Sequence, residues 1–122
     1  DALNGKMLID TTNKIGSSPI NSLGTLTAHA PQSSIYRAFN MYGWENFENP
    51  VFGQLHADLF YCGTDTMARS SVEQLISDVG LHPVYLGGVD QAGLLDDLLK
   101  LWFALANGQK MGRQLTFKVL TR

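Results

Sequence analysis

Three histidines, one cysteine, three serine pairs and the polar residues that close several apolar runs are the groups in this chain with the means to do chemistry. His29, His56 and His82 lie 27 and 26 residues apart, without the close pairing of a zinc helix. A metal hydrolase would need His29 and His56 to converge with Asp58 or Asp65 over long range. Histidines so scattered read more simply as surface or packing residues. Ser17-Ser18, Ser33-Ser34 and Ser70-Ser71 lack the Gly-x-Ser-x-Gly turn that exposes a serine nucleophile. Cys62 sits inside an apolar run, where burial raises a thiol's pKa, so it reads as packing. Asp96 and Asp97 are adjacent and point about 100° apart on a helix, which prevents them from facing one another as an acid–base pair. They read as a solvated face.

What remains is positional. Asp10, Thr11, Thr12 and Asn13 follow one short apolar run, and Asn40 follows another. In open parallel sheets, ligands bind outside the carboxyl ends of strands, where such side chains can converge. The same residue types also make turns by bonding neighbouring backbone groups. Both roles are open on the residues alone.

These groups need elements to position them. Lys6 to Asp10 is too short for a helix and reads as a buried strand closed by Thr11-Thr12-Asn13. Asn21 to Ala30 reads as a weak helix ended by Pro31, and Ser34 to Phe39 as a second strand. Gly43 to Pro50 is a polar-aromatic loop with one helical turn. Ala57 to Gly63 is the third strand, after which Thr64 or Asp65 is placed to cap a helix. Ala68, Val72, Leu75, Ile76 and Val79 make one apolar helical stripe, and Gly80 ends it. Pro83 to Leu86 is a fourth strand. This alternation argues for an α/β chain with parallel pairing and helical crossovers.

The last third differs. A helix is expected from Asp90 to Asn107, with Asp96, Asp97 and Lys100 on a polar side. Leu101-Trp102-Phe103-Ala104-Leu105-Ala106 is apolar all round the axis, so two surfaces must cover it. One is the chain's own sheet; the other is expected to be the same helix of a second subunit, giving a homodimer. Burying a leucine stabilises by roughly 1.5–3 kcal/mol, so a wet far side forfeits several such contributions. Gln114 to Leu120 alternates apolar and polar residues and reads as a strand.

Composition sets the outer bounds. The chain has 122 residues, 44% hydrophobic and 16% charged, enough for one globular core. Nine Lys plus Arg against eleven Asp plus Glu give −2, a poor match for nucleic acid or an anionic membrane. With a single cysteine and no leader or membrane-length apolar stretch, a cytoplasmic setting is expected.

The ordered segments also resemble a family. Gly5-Lys6-Met7-Leu8-Ile9-Asp10-Thr11-Thr12-Asn13, then Arg37-Ala38-Phe39-Asn40, then Asp58-Leu59-Phe60-Tyr61-Cys62-Gly63 are similar to NADP oxidoreductases dependent on coenzyme F(420), a deazaflavin. Gly80 to Gly88 and the Leu-rich helix ending Leu105-Ala106-Asn107-Gly108 continue the series. Lys14 stands where the family commonly has Pro, and the Trp44 to Pro50 loop is longer and more aromatic.

The resemblance implies the carboxyl-terminal part of a Rossmann-type sheet over residues 1–88, then a small carboxyl-terminal segment; with the apolar helix above, residues 89–122 are expected to be a helical, dimerising segment. It implies hydride transfer between NADP(H) and a deazaflavin or flavin acceptor. Thr12, Asn13, Ala38, Phe39 and Asn40 are then expected to line the nicotinamide site, with Trp44 and Phe47 as an apolar wall for the acceptor ring. No catalytic side chain is expected, because the cofactors carry the chemistry. The family's Gly-x-Gly-x-x-Gly turn is not in the sequence. At ~30 residues per strand–helix–strand unit, roughly 60 to 90 residues of an amino-terminal segment are expected to complete the enzyme. The alternative is a non-catalytic dimerisation or scaffold module whose polar strand ends are only turns.

Overall fold

The computed structural model describes residues 2–122. Its main sheet holds β1 (Met7–Asp10), β2 (Ser34–Arg37), β5 (Asp58–Gly63) and β6 (His82–Tyr85), in the order β1-β2-β5-β6. Between β2 and β5 lie a single helical turn, α2 (Glu45–Glu48), and a two-stranded hairpin of β3 (Val51–Phe52) and β4 (Leu55–His56). Helix α1 (Leu23–His29) joins β1 to β2, α3 (Arg69–Val79) joins β5 to β6, and α4 (Ala92–Phe103) follows.

Parallel pairing holds for β1 with β2 and for β5 with β6, each joined through a helix. The middle pair departs from it: β2 and β5 run antiparallel, with Tyr36 opposite Gly63 and Arg37 opposite Cys62. A parallel connection has to carry the chain back along the sheet, usually on a helix. Here residues 38–57 form a four-residue helix and a hairpin instead, so the chain re-enters from the end at which it left.

Every residue of β5 is buried, as expected of a strand covered on both faces. Val72 and Ile76 of α3 cover one face, and Leu95, Leu99 and Trp102 of α4 belong to the buried set on the other side of the chain's core. Gly63 has φ +153, and a Cβ there would fall 2.5 Å from the Ile35 carbonyl oxygen and 2.7 Å from the Tyr36 Cα, so opposite Tyr36 the approach of β5 to β2 requires glycine.

The start of α3 is not capped by Thr64 or Asp65. Thr64 is still part of the sheet edge: its amide donates to the Ile35 carbonyl at 3.0 Å, and its hydroxyl accepts from the Ile35 amide at 3.0 Å. Asp65 pairs with Arg69 at 3.1 Å, and Thr66 accepts from the Ala68 amide at 3.3 Å. The end is as expected, with Gly80 left-handed at φ +102.

The segment Gln114 to Leu120 is not a strand. It is a strap fixed mainly by side chains. The Trp102 indole donates to the Leu115 carbonyl at 2.7 Å, the Tyr42 hydroxyl accepts from the Phe117 amide at 3.0 Å, and Asp58 accepts from the Val119 amide and the Lys118 ammonium, both at 2.7 Å. Among the described residues, only the Asp58 amide, donating to the Phe117 carbonyl at 3.1 Å, gives it a ladder-like bond. Burial pulls the Asp58 pKa up, but the hydrogen bonds from Lys118, the Val119 amide and His82 prevail and hold it below the ordinary value.

Two outcomes follow from these contacts. Gly63→Ala is expected to destabilise the chain by about 2–4 kcal/mol, read as a lower urea midpoint with unchanged slope. A depressed carboxylate stabilises fully above its unfolded pKa, about 3.9, and loses that contribution as pH falls through its lower folded value. The Val119 amide resonance is therefore expected to titrate below pH ~4, and Asp58→Asn to remove that titration.

Candidate functional site

Arg37 is the last residue of β2, and the ladder sets its neighbours: Asp10 on β1 and Cys62 on β5. Cross-strand partners share a face of the sheet, so the guanidinium stands beside the Asp10 carboxylate, in the face that α4 covers. It is fully buried. Its Nε donates to Asp96 Oδ1 at 2.8 Å, Nη1 to the Thr12 carbonyl at 2.8 Å and Nη2 to Asn13 Oδ1 at 3.1 Å, with Asp10 Oδ2 at 3.4 Å. One guanidinium thus ties β1, the loop after it and α4 to the end of β2.

The carboxylates are satisfied in turn. Asp10 Oδ1 accepts from the Thr12 amide at 3.0 Å and the Thr12 hydroxyl at 2.7 Å, while Oδ2 accepts from the Ser22 amide at 2.6 Å. Asp96 Oδ2 accepts from Asn21 Nδ2 at 2.9 Å, and Asn21 Oδ1 accepts from the Leu23 amide at 3.1 Å, fixing the first turn of α1. Asp97 is solvated as expected; Asp96 is not. It is 8% exposed, because the buried guanidinium supplies the counter-charge that lets a carboxylate sit there.

The predicted nicotinamide-site residues fall around this node. Thr12 and Asn13 are exposed. Asn13 Nδ2 donates to the Asn40 carbonyl at 2.8 Å, bridging the two strand ends. Ala38 is buried and its amide donates to the Asp10 carbonyl at 3.3 Å. Asn40 is 1% exposed; its Nδ2 donates to the Leu95 carbonyl at 3.3 Å, and its Oδ1 has no partner among the described residues. Phe39 between them is left-handed at φ +62, a conformation that costs a non-glycine residue about 1–3 kcal/mol. Phe47 packs edge-on against Phe39, with ring centroids 5.6 Å apart.

Trp44 stands apart from that contact. It is 65% exposed and lines a cleft of about 460 Å³ together with Glu45, Asn46, Asn49, Phe52 and Gln114. Lys14, in the family's proline position, donates its amide to the Ile20 carbonyl at 2.8 Å and so closes residues 14–20 into a loop, a bond that proline has no hydrogen to make.

The other candidate groups are accounted for elsewhere. Burial pushes the Cys62 thiol up to about 11, so it stays protonated and inert at neutral pH. His56 Nδ1 meets the Gly80 carbonyl at 2.6 Å, and His82 Nδ1 meets Asp58 at 2.9 Å. Among the described residues no three His, Cys, Asp or Glu side chains gather as a metal site, so His29, His56 and Asp58 or Asp65 do not converge. No helix among the described residues is long and apolar enough to cross a membrane.

Sequence reasoning placed Thr12, Asn13 and Asn40 together but missed Arg37, Asn21 and Asp96, which hold them. The available signal was a single cation inside the apolar run Ile35 to Phe39, which folding can bury only with a counter-charge.

Against known proteins, no family model and no curated protein matches the chain. Among solved structures, a candidate F420-dependent NADP-reductase from Arthrobacter sp. FB24 is similar over 98% of this chain, with a TM-score of 0.78 and 20% identity. The likeness fixes the fold. It is Rossmann-like, with a parallel-rich mixed sheet, as the resemblance implies. A hypothetical protein from Sinorhizobium meliloti is similar over 74% of the chain, with a TM-score of 0.62 and 25% identity. This chain spans 60% of the first protein's length and 48% of the second's.

Breaking the node on one side leaves a buried charge unpaired. Asp96→Leu is expected to cost about 3–5 kcal/mol in urea unfolding, and the double variant Arg37→Met with Asp96→Leu to recover a large part of that loss.

Proposed function

We propose that the ends of β1 and β2 form the place where the nicotinamide of NADP(H) meets a deazaflavin or flavin-type hydride acceptor, in a protein of which this chain is the carboxyl-terminal part. The observation that carries the reading is the bridged pair of strand ends. Thr12 and Asn13 face solvent over a buried Asn40 whose Oδ1 lacks a donor, and a carboxamide N–H is the donor that would suit it. Ligands in open α/β sheets gather at such ends.

The residues present fit a group that is held and oriented rather than chemically attacked. When bound, the cofactor supplies the hydride, and the side chains supply distance and angle. Arg37 fixes the Asn13 amide through its Oδ1, so the side chain presents one orientation. Asn40 is fixed through Nδ2 on the Leu95 carbonyl. Phe47 backs Phe39, and Trp44 offers an exposed aromatic face for the acceptor. The phosphate-binding glycine turn belongs to the segment before residue 1 in this reading. The protonated, unbridged Cys62 suits a cytoplasmic setting.

The complete protein, titrated with NADPH against deazaflavin, flavin and ferric acceptors, tests the reading. Asn13→Ala and Asn40→Ala are each expected to lower kcat/KM for hydride transfer about 10- to 100-fold, with the fold retained by circular dichroism. Unchanged transfer and unchanged NADPH affinity in both variants would favour the turn-forming role and a non-catalytic module.

A further inference from the structure

The node around Arg37 carries more negative charge than positive. Its guanidinium meets two carboxylates: Asp96 Oδ1 lies 2.8 Å from both Nε and Nη2, and Asp10 Oδ2 lies 3.4 Å from Nη1. The other groups on those carboxylates are donors, the Thr12 amide and hydroxyl and the Ser22 amide on Asp10 and the Asn21 amide group on Asp96. Acceptor-only surroundings of this kind suit two ionised groups, so one negative charge is left over. Arg37 and Asp10 are fully buried and Asp96 nearly so, and buried charges are screened little. Lys14 and Asp97, next to the node in sequence, are exposed and well screened. The surplus stands directly behind the two strand-end residues. The Thr12 hydroxyl donates to Asp10 at 2.7 Å, while Arg37 donates to the Thr12 carbonyl at 2.8 Å and to Asn13 Oδ1 at 3.1 Å.

We infer that this surplus charge sets the direction of the chemistry, favouring the oxidised, cationic nicotinamide over the reduced, neutral one, so that the site takes hydride from NADPH and passes it to the acceptor. The inference rests on the nicotinamide reading above. Hydride leaves NADPH with its electron pair and goes to the acceptor, which is reduced by two electrons; the ring left behind gains a unit positive charge. A fixed negative charge held in low dielectric stabilises that cation without having to reorganise. At the effective dielectric of about 20 typical of protein sites, one unit charge about 10 Å from another shifts an equilibrium roughly 10- to 20-fold. The phosphates are common to both forms, so their repulsion by the same carboxylates cancels from the comparison. Tighter binding of the oxidised form makes the bound pair a stronger reductant than the free pair by the same factor, and tenfold is about 30 mV for a two-electron couple. Asp10 and Asp96 act here through their field, past Thr12 and Asn13, and not by touching the ring.

Calorimetric titration of the complete protein with NADP+ and, separately, with NADPH is the test, read as the ratio of the two dissociation constants. The wild type is expected to bind NADP+ the more tightly, by about 10-fold. Asp96→Asn keeps the side chain's shape and an acceptor oxygen for Arg37, and is expected to bring that preference down about 10-fold; Asp10→Asn is expected to do the same. Loosening of the site weakens both forms together and leaves the ratio alone, so the ratio separates charge from structure. Asp97→Asn removes an equal charge from an exposed position on the same helix, and is expected to leave the ratio within about twofold. A wild type that prefers NADPH, a ratio unmoved in both Asp96→Asn and Asp10→Asn, or an equal change in Asp97→Asn would each overturn the inference. The nicotinamide reading fails by a different sign. If Asn13→Ala and Asn40→Ala leave both dissociation constants unchanged, that reading goes and the inference goes with it. If they weaken binding while the aspartate variants hold the ratio steady, the reading stands and the inference alone is overturned.

Discussion

A guanidinium buried between two carboxylates governs how this chain closes. Arg37 has no exposed surface, and Asp10 and Asp96 reach it from β1 and from α4. Taking such groups out of water is costly, and the cost is offset only when every donor and acceptor finds a partner. That demand is specific in a way apolar packing is not. A one-residue slip of β1 against β2 would turn Asp10 to the opposite face, and rotation of α4 would withdraw Asp96. Register, helix rotation and the path of residues 11–13 are therefore set by one side chain. The loop bonds follow from it, since Thr12 and Asn13 are held by the same guanidinium through a carbonyl and an amide oxygen.

The elements legible in the sequence are those whose signal is local. The stripe from Ala68 to Val79 is read from one helix turn to the next, and the runs around Ile9 and Phe60 from their own residues. The antiparallel middle pair is a relation between segments more than twenty residues apart, and no period within either strand encodes it. The hairpin at 51–56 escaped because two-residue strands are too short to show alternation. Leu115, Phe117 and Val119 do alternate, as an extended chain should. The Tyr42 hydroxyl and the Asp58 carboxylate take the amides that a neighbouring strand would otherwise accept, so extension appears without a ladder.

The candidate site divides along the same line. Thr12, Asn13 and Asn40 are legible by type and by place after apolar runs. Asp96 is not, because its surroundings depend on Arg37, 59 residues away in sequence. An aspartate beside another aspartate on a helix reads as solvated until a cation is known to lie beneath one of them. The two residues differ by about 100° of rotation, and that rotation decides which is paired in the core and which faces water.

The antiparallel junction also decides where a ligand can be met. Because β5 and β6 run against β1 and β2, the carboxyl ends of the two parallel pairs lie at opposite ends of the sheet. The end of β5 and β6 is occupied by a cluster in which Tyr61 donates to Glu73 and the Arg69 guanidinium lies 3.7 Å over the Tyr85 ring. At the end of β1 and β2, among the described residues, Asn40 Oδ1 is instead without a partner and Thr12 and Asn13 are exposed. Polar groups that a fold has fixed but not fully satisfied are where a further partner gains most, because its bonds cost little new ordering. Helix α4 closes that end of the sheet: Asp96 pairs with Arg37 and the Leu95 carbonyl accepts from Asn40, while Leu94 on the same turn is exposed.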